Sequence, residues 1–71
     1  MFYGPRIPCP GVTIGETITH EGHTYIVVEV MKDPGTTRVK GYDCWHVEVE
    51  ENGVSYAATW ETPNGLRIAR N

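Results

Sequence analysis

The sequence predicts an all-β domain: a small five-stranded barrel built from two hairpins and a short closing strand, preceded by an extended arm. Three observations carry this expectation. Asn52-Gly53 lies between two alternating runs, residues 45–50 and 55–60. A second pair of runs, residues 12–19 and 23–32, flanks Glu21-Gly22. No segment longer than a turn shows helical periodicity.

Asn52-Gly53 sets a register. A two-residue hairpin loop favours a type I′ turn with positive φ at both positions, which Asn and Gly tolerate best. Glu51 then faces Val54, Val49 faces Tyr56, Val47 faces Ala58 and Trp45 faces Trp60. From Val49 and Tyr56 to the two tryptophans, this face is apolar or aromatic. The other carries Cys44, His46, Glu48, Glu50, Ser55, Ala57 and Thr59. A three-residue loop would pair Val49 with Ser55 and mix the faces, because a slip of one residue turns every side chain over. Trp45 and Trp60, paired across strands, contribute about 0.5–1 kcal/mol beyond burial. They read as core rather than as a ligand-stacking platform.

For the first hairpin the expected loop is His20-Glu21-Gly22, with Gly22 in the left-handed position of a bulge. It gathers Val12, Ile14, Ile18, Ile26, Val28 and Val30 on one face, with Glu16 as the single misfit. A two-residue Glu21-Gly22 loop splits that set. The outer face is then Thr13, Thr17, Thr19, His23, Tyr25, Val27 and Glu29. Asp33-Pro34-Gly35 suits a type II turn, Thr36 and Thr37 extend the loop, and Arg38-Val39-Lys40 leads into the third strand. Gly41 marks a bend or bulge there. Thr62-Pro63-Asn64-Gly65 is a tight turn, and residues 66–70 close the barrel with Leu66 and Ile68 inward.

Gly4, Pro5, Pro8, Pro10 and Gly11 exclude helix and central strand from the start of the chain. Residues 1–11 are therefore an extended arm of polyproline-II character, anchored by Phe2, Tyr3 and Ile7, and residues 12–71 are a single barrel domain. Pro5-Arg6-Ile7-Pro8 matches a pattern read by aromatic grooves, but covering the barrel's own open edge or end is the simpler role.

In this layout of long hairpin, variable loop, tight hairpin, turn and closing strand, the chain resembles the SH3-like small β-barrels over about residues 12–70. In that family the tight second hairpin is the distal one, and a single helical turn before the last strand is common. Thr62-Pro63-Asn64-Gly65 stands in that place. The resemblance implies binding of peptides, proteins or nucleic acids. The acidic-aromatic loop of signalling SH3 domains is absent, so no peptide-binding residues carry over.

Seventy-one residues make one domain, and a chain of this size buries only about 60% of its unfolded surface. Its large side chains are committed to packing. Little is left for an enclosed pocket of ~300 Å³ or more, which disfavours an enzyme. Nine acids and six bases give a net charge of −3, the wrong sign for a protein built to grip phosphates. There is no apolar run of ~18 residues to span a membrane, and Met1-Phe2-Tyr3-Gly4-Pro5-Arg6 is unlike a signal peptide, so a cytoplasmic location is expected. In that compartment Cys9 and Cys44 are expected as free thiols, although a bridge closing so long a loop would add about 3–4 kcal/mol.

His20-x-x-His23 and Cys44-x-His46 match no zinc-finger or metalloprotease spacing and lie on different hairpins, so neither metal nor cofactor is expected. No glycine-rich phosphate loop is present, and Ser55, the sole serine, has no base at an identifiable spacing. No catalytic residue is assigned. Two candidate surfaces remain. His46, Glu48, Glu50, Glu51 and Glu61, with Glu29 near, form an acidic outer face suited to a basic partner or to imitating phosphates; its ordinary explanation is a charged face that resists edge-to-edge aggregation. Arg38 and Lys40, sharing a face, with Tyr42 and Tyr25, would bind single-stranded nucleic acid by stacking and phosphate contacts; the ordinary explanation is balanced surface charge.

The expected function is a non-enzymatic module that docks onto another protein, with a nucleic-acid-binding barrel as the alternative. In size, acidity and lack of export or catalytic signals the chain resembles the small inhibitors that phages and mobile elements direct at host factors, anti-CRISPR proteins among them. A monomer, or a homodimer through a strand edge, is expected.

The turn assignment is directly testable. Gly53→Val puts a β-branched residue at positive φ and is expected to cost about 1–2 kcal/mol or more. An unchanged melting temperature would reject a type I′ turn.

Overall fold

The computed structural model describes residues 9–69. Six elements follow in order: β1 (Thr17–His20), β2 (His23–Lys32), α1 (Pro34–Lys40), β3 (Cys44–Glu51), β4 (Val54–Glu61) and β5 (Gly65–Ile68). Each strand pairs antiparallel with the next, in the order β1-β2-β3-β4-β5. The sheet curls into a half-barrel, the all-β, SH3-like layout that the sequence predicts.

The β3–β4 hairpin has the register that Asn52-Gly53 sets. Trp45 pairs with Trp60, Val47 with Ala58, Val49 with Tyr56 and Glu51 with Val54. Asn52 and Gly53 have φ of 52° and 81°, the positive values a type I′ turn requires. Trp45 is buried, and its ring meets that of Trp60 edge-on, with centroids 5.6 Å apart and planes at 70°. Lys32 lies over the other side of Trp45, its ammonium 4.7 Å from the ring centroid.

The first hairpin differs from expectation. His20 pairs directly with His23, so the loop is Glu21-Gly22 alone, with φ of 51° and 82°. Alternation from this loop sends Tyr25 and Val27 inward; both are fully buried. Ile26 and Val28, expected inside, are exposed, and so is Ile14. A bulge between Val27 and Glu29 resolves the conflict with Val30. Val27 pairs with Val49, Glu29 with Glu48 and Val30 with Val47, so the extra residue, Val28, restores Val30 to the core. β1 is also shorter than expected. Residues 13–16 make a turn in which Thr13 O accepts from Glu16 N at 3.0 Å and Glu16 Oε1 accepts from Thr13 N at 2.9 Å.

Asp33-Pro34-Gly35 opens a helix rather than a type II turn. Asp33 Oδ1 accepts from Thr36 N at 3.1 Å, and Asp33 Oδ2 accepts from the Thr36 hydroxyl at 2.8 Å. Pro34 takes the first helical turn, where a missing N–H costs nothing. Arg38-Val39-Lys40, expected as extended chain, forms the helix's last turn, and Gly41 caps it, donating from N to Thr37 O at 2.9 Å. Asp-Pro serves as both a turn signal and a helix-start signal, and seven residues are too few to show a period. α1 buries no residue of its own; its Thr37 hydroxyl accepts from Cys44 N at 3.0 Å.

The core comprises Tyr25, Val27, Val30, Trp45, Val47, Val49 and Ala58 from the sheet, joined by Cys9 and Val12 from the segment ahead of β1. Ile18, Tyr56, Trp60, Leu66 and Ile68 are partly buried around it. Cys9 and Cys44 are separate buried thiols. Phe2, Tyr3, Ile7, Arg6, Arg70 and the Pro5-Arg6-Ile7-Pro8 motif lie outside the described residues. Among those described, no helix is long and apolar enough to cross a membrane.

Gly11 lies close against the Trp60 indole, and a Cβ built there would clash with its Nε1, Cε2 and Cζ2 atoms. Gly11→Ala is therefore expected to destabilise by about 1–3 kcal/mol through overpacking. Gly35→Ala, whose Cβ would meet only Asp33 Oδ1 at 3.7 Å, is the tolerated control. Equal denaturation midpoints for the two variants would mean that residues 9–12 do not pack on the indole.

Candidate functional site

The outer face of the sheet is where side chains remain available, and strand pairing arranges them in cross-strand rows. Nearest the β3–β4 turn, Thr17, Ile26, Glu50 and Ser55 lie side by side. Next come Glu29, Glu48 and Ala57, then Met31, His46, Thr59 and Arg67. The last row is Cys44, Glu61 and Gly65, beside α1. The face is polarised: acidic and aliphatic at one end, with Arg67 and, from α1, Lys40 at the other.

At the acidic end Glu48 and Glu50 are half-buried and make no ion pair among the described residues. Glu48 pairs with Glu29 and Glu50 with Ile26. Like charges directly opposite are unfavourable in a sheet. Ile26 is 42% and Val28 38% exposed, so two aliphatic side chains stand in water beside these carboxylates.

At the other end the Glu61 carboxylate is 3% exposed and fully engaged. Its Oε2 accepts from Lys40 Nζ at 2.9 Å and its Oε1 from Asn64 Nδ2 at 2.8 Å. The hydrogen bond from Asn64, then that from Lys40, holds the Glu61 carboxyl below the usual carboxylate range, with Lys40 and Arg67 adding attraction against the cost of burial. Lys40 is correspondingly raised above 10.5, mainly by its hydrogen bond to Glu61. Burial pushes the neighbouring Cys44 thiol up, which keeps it a neutral packing group rather than a nucleophile. Beside this clamp an open groove of about 360 Å³ is lined by Lys40, His46, Thr59, Glu61 and Arg67, with Ala57 and Ala69 between them.

The acidic set is therefore split. Glu48 and Glu50 share the face, and His46 follows them toward α1. Glu61 is buried in the clamp and offers no free charge. Glu51 belongs to the opposite face, in step with Val47 and Val49, and its Oε2 lies 3.0 Å from His23 Nδ1. The basic set is dispersed. Tyr25 is 1% exposed and packs edge-on to Tyr56, centroids 5.9 Å apart, so no base can stack on it. Lys40 is committed to Glu61, and its ammonium is 6.0 Å from the Tyr42 ring centroid. Arg38 lies two positions before Lys40 on a helix, a spacing that puts them on different sides. Arg67, outward between Leu66 and Ile68, completes the face with Ile26 and Val28; sequence reasoning misses the last two, because Ile26 depends on the two-residue Glu21-Gly22 loop and Val28 on the bulge. Among the described residues no cluster of three potential metal ligands occurs.

The clamp has a defined pH dependence. A carboxyl held low in the folded state stabilises fully above its unfolded value near 4.5 and loses that contribution as pH falls through the folded value. A lysine held high contributes below 10.5 and loses it above. Glu61→Gln is expected to unfold at lower urea than the wild type at about pH 7, with the gap closing toward about pH 3. A gap of constant size across that range would refute the charged clamp.

The chain matches no protein-family model, no curated protein and no solved structure, so the reading of this face rests on its chemistry alone.

Proposed function

We propose that this protein is a non-enzymatic binding module that docks onto another protein through the acidic end of its outer sheet face. The observation that carries the reading is the juxtaposition of Glu48 and Glu50, without ion pairs among the described residues, and the exposed Ile26 and Val28. The like charge of Glu29 opposite Glu48 is unfavourable in a sheet, and the exposed Ile26 and Val28 leave apolar surface in water. A partner presenting Lys or Arg around an apolar patch would relieve both costs at once. The opposite charge would steer encounter, and the aliphatics would supply the desolvated centre. The mode fits a small inhibitor or adaptor that acts by occupying a basic surface, the role that its resemblance to phage-type inhibitors suggests. The nucleic-acid alternative lacks a comparable observation, since Tyr25 is internal and Lys40 is neutralised.

Affinity capture from the native cell with the wild type and a Glu48→Lys/Glu50→Lys variant tests the reading. A protein partner retained at stoichiometric level is expected, bound at least about tenfold, or ~1.4 kcal/mol, less tightly by the variant. Recovery of nucleic acid alone, or a partner held equally by both forms, would reject docking through this face.

A further inference from the structure

We propose that the groove at the α1 end of the outer face is a binding site for a compact oxyanion, a carboxylate or a phosphate. It is separate from the docking surface, which lies at the acidic end of the same face.

The groove gathers more positive charge than it neutralises. Lys40 and Arg67 both line it, against one carboxylate, that of Glu61. That carboxylate is buried, with one oxygen on Lys40 and the other on Asn64. An incoming anion therefore meets donors rather than an exposed acid. Lys40 gives one N–H group to Glu61, is near Tyr42 and is 41% exposed, so of its three donors at least one still faces the groove. Arg67 is exposed on the edge strand β5 and makes no ion pair among the described residues. Its planar fork matches an oxyanion with two parallel hydrogen bonds. Thr59, directly opposite Arg67 in the ladder, adds a hydroxyl donor.

The remaining lining limits size. Ala57 and Ala69 leave room where larger side chains would fill the groove, and about 360 Å³ is at the small end of ligand sites. That suits an anionic head with a few carbons, not a nucleotide chain. Glu29, Glu48 and Glu50 lie one and two rows away, so an anion is repelled from the rest of the face and confined to this end.

Nitrogen-15 chemical-shift titrations at low salt test the site with three probes: inorganic phosphate, acetate and butyrate. Saturable shifts are expected at the amides of Thr59, Arg67 and Ala69, with a Kd of about 10 mM or tighter. Saturation by phosphate alone would assign a phosphate ligand. Saturation by the carboxylates, with butyrate tighter than acetate, would assign an organic acid seated on the alanines. Arg67→Gln is expected to weaken binding about tenfold, while Glu21→Gln, in the β1–β2 turn away from the groove, leaves it intact. Thr59→Val serves as the second variant, with a several-fold loss expected, should Arg67→Gln disturb the fold. Absence of saturation with all three probes, or shifts in Arg67→Gln equal to those of the wild type, would overturn the site. Neither result bears on docking through Glu48 and Glu50, which the charge-reversal variant tests independently.

Discussion

Between Val27 and Glu29 the second strand carries one residue more than its partner, and the composition of both faces follows from where that residue sits. Upstream, the Glu21-Gly22 turn commits Tyr25 and Val27 to the core; downstream, pairing with Val47 commits Val30. Strict alternation cannot satisfy both, because Val27 and Val30 are three apart. The bulge at Val28 absorbs the difference and bends the strand. The bend lets one sheet wrap a single core, with Tyr25 against Tyr56 and Trp45 against Trp60. It also fixes the outer face: Ile26 and Glu29 point there, Glu29 faces Glu48, and Val28 is left exposed.

The β3–β4 hairpin was legible from the sequence because its turn residues and its alternation agree. Asn52-Gly53 sets a register that puts Tyr56, Ala58 and Trp60 opposite Val49, Val47 and Trp45, and that register is present. The first hairpin was not legible because the apolar residues of β2 are nearly continuous. In Tyr25-Ile26-Val27-Val28, either parity buries aliphatics, so hydrophobic pattern alone cannot choose. The decisive information was local: Glu21-Gly22 with positive φ at both positions. α1 was hidden for a different reason. It buries nothing, and its start uses the same Asp-Pro pair that opens many turns. Of the candidate site, Glu48 and Glu50 were readable from alternation. The same alternation places Glu51 inward with Val49. Glu61 depends on the end of α1 reaching β4, which no local pattern encodes.

α1 is coupled to the sheet by polar contacts, and this shapes the outer face as much as the bulge does. Thr37 receives the Cys44 N–H, and Lys40 reaches Glu61. A buried carboxylate without such partners would carry a heavy desolvation cost; with Lys40 and Asn64 it becomes an anchor for the β4–β5 turn. Lys40 is thereby drawn toward Arg67 at one end of the face, while Glu48 and Glu50 remain at the other. The charge separation along the rows is a by-product of how the helix is tied down.

The choice between an edge and a face as the docking element can be argued from geometry. β1 and β5 are the two edges, and each is four residues long. Short edges are one way natural sheets resist strand addition; a partner strand would find few backbone groups to pair with on either side. The core face offers nothing, since its side chains are consumed in packing and residues 9–12 add Cys9 and Val12 to it. The outer face of β2–β3–β4 remains, and it carries exposed aliphatics next to Glu48 and Glu50, which make no ion pair among the described residues. In so small a domain an apolar side chain left in water adds nothing to a thin margin of stability, and the proposed docking would use the burial that the fold leaves unused at Ile26 and Val28.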